Sequence, residues 1–169
     1  MEKTLKLIKA LKEKKVFKDF SIGGGIATLY YIEPILTYDL DIFFIPIEDS
    51  IDVLAPIYDY LKKQGFKAKK EHVLIEGVPV QFIPVYNDLV KEAVQSSVEV
   101  KYGRVKTRIL RLEYLIAIML QTYRPKDRER LVKIFEEAKI DLRFLKNILK
   151  KYGLYRKYVQ FKEMYFGTR

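Results

Sequence analysis

The chain contains no cysteine. Disulfides, thiolate zinc centres and a cysteine nucleophile are therefore excluded. Tryptophan is also missing, and His72 is the single histidine, so no cluster of His and Cys ligands can form. His72 stands among Lys69, Lys70 and Glu71 and reads as a surface residue. Apolar runs reach only about ten residues, too short to span a bilayer. Nothing resembles a secretory leader, so a cytoplasmic protein without a membrane partner is expected. No repeat, low-complexity tract or Gly/Ser linker divides the 169 residues.

Hydrophobic residues make up 49% of the chain, enough for a sizeable core. Lys and Arg number 32 against 22 Asp and Glu, a net charge of +10. Such a surface concentrates anionic partners, among them nucleotides, nucleic acids and acidic membranes. It equally suits a solvated, thermophile-like surface rich in Lys, Glu, Ile and Tyr.

Apolar spacing at Leu5, Ile8 and Leu11 predicts a helix over 3–15. A short strand, Asp19 to Ile22, then runs into three glycines and a helix from Ile26 to Ile32, which Pro34 ends. Tyr38 to Ile45 is the clearest strand. A helix is expected from Asp52 to Lys63, then a hairpin of Val73 to Ile75 and Val78 to Val85 turning at Glu76-Gly77. A strand at 104–110 follows, and the rest reads as helices: Leu112 to Gln121, 126–138 opened by Pro125, 142–152 capped by Asp141, and Tyr155 to Phe166. The expected fold is α/β (α+β): a mixed sheet flanked by helices over 1–110, with a helical lobe over 111–169 packed on it.

Two segments carry chemistry. In Ser21-Ile22-Gly23-Gly24-Gly25-Ile26-Ala27, strand, glycines and helix start can present backbone N–H groups to a phosphate. A tight strand-to-helix turn explains the same glycines equally well. In Thr37-Tyr38-Asp39-Leu40-Asp41-Ile42-Phe43-Phe44, alternation along a strand puts Asp39 and Asp41 on one face. Adjacent carboxylates repel unless one is protonated or a cation lies between them. Mg²⁺ is commonly held by one or two carboxylates plus substrate phosphates.

Glycine turn, short helix and Asp-x-Asp strand, in that order, resemble the nucleotidyltransferase superfamily related to DNA polymerase β. The chain looks most like its small prokaryotic branch, that of the abortive-infection AbiEii-type proteins. Val78-Pro79-Val80-Gln81-Phe82-Ile83-Pro84, the helix Leu112 to Leu120, and Lys126-Asp127-Arg128 fit the same branch, so the likeness runs over residues 16 to 155.

The resemblance implies that Gly23 and Gly24 cradle nucleotide phosphates, with Gly25 where a Ser or Thr often stands. Asp39 and Asp41 match the metal-binding aspartates, and Thr37 a hydroxyl residue just before them. Lys126 and Asp127 match a basic–acidic pair closing the nucleotide cleft. Lys126 would neutralise triphosphate charge, and Asp127 would orient the triphosphate or the acceptor. Mg²⁺ or Mn²⁺ is the implied cofactor and an NTP the implied substrate. The implied acceptor is RNA or tRNA, a protein or a small molecule, and an antitoxin is an implied partner. Two positions depart from the family pattern. Ile35 stands where an Arg is common, and Gln81 where a third carboxylate is usual. A glutamine amide cannot act as a base, and Glu76 is the substitute within reach of the sequence.

Other residues are less informative. Arg124, Lys126, Arg128, Arg130 and Lys133 form either a basic face for RNA or triphosphate, or a solvated face balanced by Asp127 and Glu129. The aromatics from Tyr152 to Phe166 read as core or homodimer packing. Lys101, Arg104, Lys106, Arg108 and Arg111 alternate with apolar residues, and are expected to form a strand with a basic outer face for an acceptor.

Overall fold

A computed structural model of the chain describes residues 1–32 and 37–167. Helix α1 (Glu2–Glu13) buries Leu5, Ile8 and Leu11 on one face. Strand β1 (Asp19–Gly23) passes directly into α2 (Gly24–Tyr31). Strand β2 (Leu40–Ile45) is followed by α3 (Ala55–Lys63), whose start is tied by the Asp52 carboxylate accepting from the Leu54 and Ala55 N–H groups. Next come β3 (Ala68–Lys69), β4 (His72–Ile75) and β5 (Val78–Pro84). Glu76 and Gly77 have φ of 50° and 80°, as a tight β4–β5 hairpin turn requires.

Helix α4 (Asp88–Gln95) and strands β6 (Val98–Tyr102) and β7 (Val105–Ile109) precede four helices: α5 (Leu112–Thr122), α6 (Pro125–Glu137), α7 (Leu142–Lys151) and α8 (Tyr155–Phe166). Pro125 opens α6, and Asp141 caps α7 by accepting from Phe144 N–H. Buried Leu110 and Leu112 carry the core across the junction between sheet and helices.

The sheet order is β3-β4-β5-β2-β1-β7-β6. Central β2 pairs antiparallel with β1 and parallel with β5. Its register sets Gly23 opposite Asp41, and Asp41 opposite Gln81. Val73 pairs with Val80 across β4–β5, so His72, one residue earlier, extends the row beyond Gln81. Paired residues share a face, so His72, Gln81, Asp41 and Gly23 line up across the sheet. On the other face Phe20, Ile22, Leu40, Ile42 and Phe44 are buried with α1.

Several expectations change. Strand β2 begins at Leu40, so Asp39 lies just ahead of it rather than within it. Helix α4 and strands β3 and β6 were not anticipated. The α4 segment nonetheless carries an Asn87 cap, through Val90 N–H, and a buried Leu89, Val90, Ala93 and Val94 face. Strand β6 is held chiefly by pairing with β7, a contact that its own residues do not announce. Three of the five basic residues around β7 make ion pairs, Lys106 with Glu99 (3.4 Å), Arg108 with Asp19, and Arg111, just beyond the strand, with Glu113 (3.0 Å), while Lys101 and Arg104 are exposed. His72 belongs to β4 and is only 31% exposed at its side chain, not a free surface residue. Tyr158 and Phe161 are core residues, with Phe161 stacked near Phe135 at 5.7 Å. Ile35 lies outside the described residues.

Phe44 is 1% exposed and 5.7 Å from the Phe17 ring. Phe44→Ala is expected to cost about 3–5 kcal/mol, measured as a lower urea midpoint with an unchanged slope.

Candidate functional site

The site forms where β1 ends, β2 begins and α2 starts. Gly23 is extended and Gly24 has φ of 57°, the left-handed region that other residues rarely adopt. The glycines also answer a packing demand. A Cβ on Gly24 would lie 2.9 Å from Asp41 Cγ and collide with the carboxylate. A Cβ on Gly23 would strike the Phe43 ring. At Gly25 it would meet Thr37 and come within 2.9 Å of Arg130 Nη2. Thr37 thus takes the room that a Ser or Thr at position 25 would need.

Two helix N-termini are near Asp41, and they differ. That of α6 is occupied from within. Asp127 is 1% exposed, and its Oδ2 accepts from Thr122 Oγ1 (2.8 Å), Arg124 N (3.0 Å) and Arg124 Nε (2.8 Å). Its Oδ1 accepts from Arg124 Nη2 at 3.2 Å. The N-terminus of α2 has Gly23 as its N-cap and no side-chain cap. Its first N–H groups are therefore the ones able to receive an anion.

Burial pushes the Asp41 carboxyl above its ordinary range. Lys126 opposes that shift, nearby Asp39 adds to it, and Arg130 and Arg124 pull it back down. An ionised Asp41 therefore costs stability at neutral pH, a cost that a cation between the two aspartates would cancel. Burial also pushes on Asp127, but bonds from Arg124 and Thr122 outweigh it and hold that carboxyl below the usual value.

Asp41, Gln81 and Gly24 from the sheet side, and Arg124, Lys126 and Arg130 from α6, line a cavity of about 60 Å³ floored by Ile118 and Met119 of α5. Small-ligand pockets typically measure about 300–1,000 Å³, so this cavity by itself is too small for a whole nucleotide. A larger concavity of about 630 Å³ near Asn87 and Tyr152 contains neither aspartate of the Asp-x-Asp pair. Among the described residues, no three His, Cys, Asp or Glu side chains converge closely enough to hold a metal ion alone. Asp39 with Asp41, or Asp39 with the solvent-shielded Nε2 of His72 at 3.3 Å, offers two donors at a time to a cation whose coordination a substrate completes.

No protein-family model matches the chain, and no curated protein matches it by sequence. Solved structures do match. An antigenic nucleotidyltransferase-like protein from Paracoccidioides brasiliensis superposes with a TM-score of 0.54 at 13% identity, covering 98% of this chain and 95% of that one. The fold is that of a nucleotidyltransferase. The antibiotic-resistance factor ANT(2'')-Ia matches with a TM-score of 0.50 at 17% identity, over 97% of this chain and 92% of its own.

Within the nucleotidyltransferase fold, the sequence motifs converge. Gly23, Gly24, Gly25, Thr37, Asp39, Asp41 and Gln81 gather at one end of the sheet, with Lys126 facing Asp41 from α6. Asp127 lines the same cavity, but its oxygens are engaged by Thr122 of α5 and by Arg124 at the start of α6. Glu76 sits in the β4–β5 turn, at the opposite end of β4 from His72. Arg130, expected only as one of five residues of a basic or solvated face, reaches the start of α2, and its spacing of four from Lys126 places both on one helix face. His72 gave no local signal, because only strand pairing brings it to Asp39. Among the described residues, no helix is long and apolar enough to cross a membrane.

Two outcomes are expected. Gly24→Ala should cost at least about 1–2 kcal/mol from the left-handed backbone alone, with Asp41 displaced, read by thermal melting and by a shifted Asp41 resonance. For Asp127 the folded pKa lies below its unfolded value of 3.8, so its stabilisation is complete above that value and is lost as pH falls through the lower folded value. Asp127→Asn should therefore be less stable than wild type at pH 7 by about 1–3 kcal/mol, with the gap narrowing below pH 3.8 in acid titrations followed by circular dichroism.

Proposed function

We propose that this chain is a divalent-metal-dependent nucleotidyltransferase that moves a nucleoside monophosphate from an NTP to a hydroxyl acceptor. The observation carrying the proposal is the close packing of Asp41 on Gly24. It fixes a buried carboxylate beside an uncapped helix N-terminus, with Lys126, Arg130 and Arg124 acting on it. A phosphate chain needs that combination: backbone donors, a carboxylate for its counter-ion, and fixed positive charge.

In this proposal the N–H groups at the start of α2 bind phosphate oxygens, with Thr37 beside them. Asp39 and Asp41 hold Mg²⁺ or Mn²⁺, which when bound neutralises triphosphate charge and orients the α-phosphate. Lys126 and Arg130 add positive charge from α6. Asp127 acts indirectly by fixing Arg124 and the α5–α6 corner. Rate enhancement would come from positioning and charge neutralisation. The finer assignment is to the small prokaryotic branch resembling AbiEii-type proteins, supported by the Asp-x-Asp segment and Lys126-Asp127-Arg128. The net charge of +10 favours RNA or tRNA over a neutral acceptor.

A second reading rests on Gln81, register partner of Asp41. Its neutral amide supplies neither a base nor an anionic ligand. That supports nucleotide binding without turnover, as in a sensor or the toxin of a toxin–antitoxin pair.

The deciding experiment incubates the protein with Mg²⁺ or Mn²⁺ and each α-labelled NTP, in the presence of RNA and protein acceptors. Transfer of label is expected, with Asp39→Ala and Asp41→Ala each reducing it at least about 100-fold. Calorimetric NTP binding with no labelled product would favour the second reading. Neither binding nor transfer would exclude both.

A further inference from the structure

One polar atom beside the acidic pair has no hydrogen-bond partner among the described residues. His72 Nε2 is shielded from solvent, yet lies 3.3 Å from Asp39 Oδ2. That separation is within ion-pair reach, but its angular geometry does not make a hydrogen bond. The pairing of β4 with β5 puts the imidazole there: Val73 opposite Val80 leaves His72 level with Gln81 and Asp41.

The spacing has a second meaning. Nitrogen and oxygen donors bonded to one divalent ion at about 2.0–2.2 Å sit about 3.0 Å apart at a right angle and about 3.4 Å apart at a tetrahedral angle. A separation of 3.3 Å between His72 Nε2 and Asp39 Oδ2 falls inside that interval. Gln81, between His72 and Asp41 in the row, contributes no anionic oxygen. We propose that His72 is a nitrogen ligand of the divalent cation held at Asp39, taking the place in its coordination that a third carboxylate would otherwise fill. This rests on the nucleotidyltransferase reading and names a residue of the same site. No three such side chains converge among the described residues, so phosphate oxygens and water would supply the rest of the shell. An imidazole ligand shifts preference away from Mg²⁺, an all-oxygen ion, toward transition metals.

Because His72 is the only histidine, ¹⁵N-histidine labelling reports on it alone. Mn²⁺ would be added to the full chain with a non-hydrolysable NTP and examined by pulsed electron paramagnetic resonance. Imidazole nitrogen coupling is expected, changing to the ¹⁵N pattern in labelled protein. His72→Gln should abolish the coupling, weaken Mn²⁺ binding about tenfold or more, and weaken Mg²⁺ binding less. Mn²⁺ that binds wild type and is lost in Asp39→Asn, but shows no imidazole coupling, would overturn the role of His72 and leave the metal–nucleotide reading standing. Absence of Mn²⁺ binding by wild type would overturn both. The wild-type spectra decide the matter even if His72→Gln fails to fold.

Discussion

The site depends on Asp41 occupying the space where Gly24 has no side chain. Antiparallel pairing of Gly23 with Asp41 sets the two strands, and the left-handed turn at Gly24 starts α2 beside the carboxylate. A buried carboxylate with a raised pKa is an unfavourable element in a resting fold. Lys126, Arg130 and Arg124 offset part of that cost through their positive charge. The site is in this sense held in readiness rather than satisfied.

Asp127 follows the opposite design. It is the more deeply buried of the two, at 1% exposure against a partly buried Asp41, but every oxygen is answered, and its bonds to Thr122 and Arg124 fix the corner between α5 and α6. Tyr123 at that corner takes φ of 50°, a strained turn for a residue with a side chain. Asp127 takes the Arg124 N–H at the start of α6, whereas the start of α2 has no side-chain cap. Two acidic residues that look alike in sequence thus divide into one that waits for a charge and one that already has it.

Much of this was legible beforehand because the signals are local. Strand-to-glycine-to-helix, Pro125, Asp141 and the Glu76-Gly77 turn each state their structure through backbone preferences spanning a few residues. The helices from Leu112 onward declare themselves through apolar spacing. Helix α4 was missed despite its Asn87 cap, since eight residues offer few turns to count. Strands β3 and β6 are defined mainly by their partners. The basic stripe is partly neutralised, by Glu99 and Glu113 nearby and, across the sheet, by Asp19, which local spacing could not indicate for Arg108.

By itself the sequence determined which residues could serve: the glycines, the Asp-x-Asp pair, Gln81 in place of a carboxylate, and a net positive charge. These follow from residue chemistry and short-range spacing. Only tertiary structure decided how they face one another. It put Arg130 at the start of α2, tied Asp127 to the corner between α5 and α6, and carried His72 from an apparently polar surface to Asp39. The reason is that sheet register and helix docking join positions dozens of residues apart, and local preference contains no information about that distance.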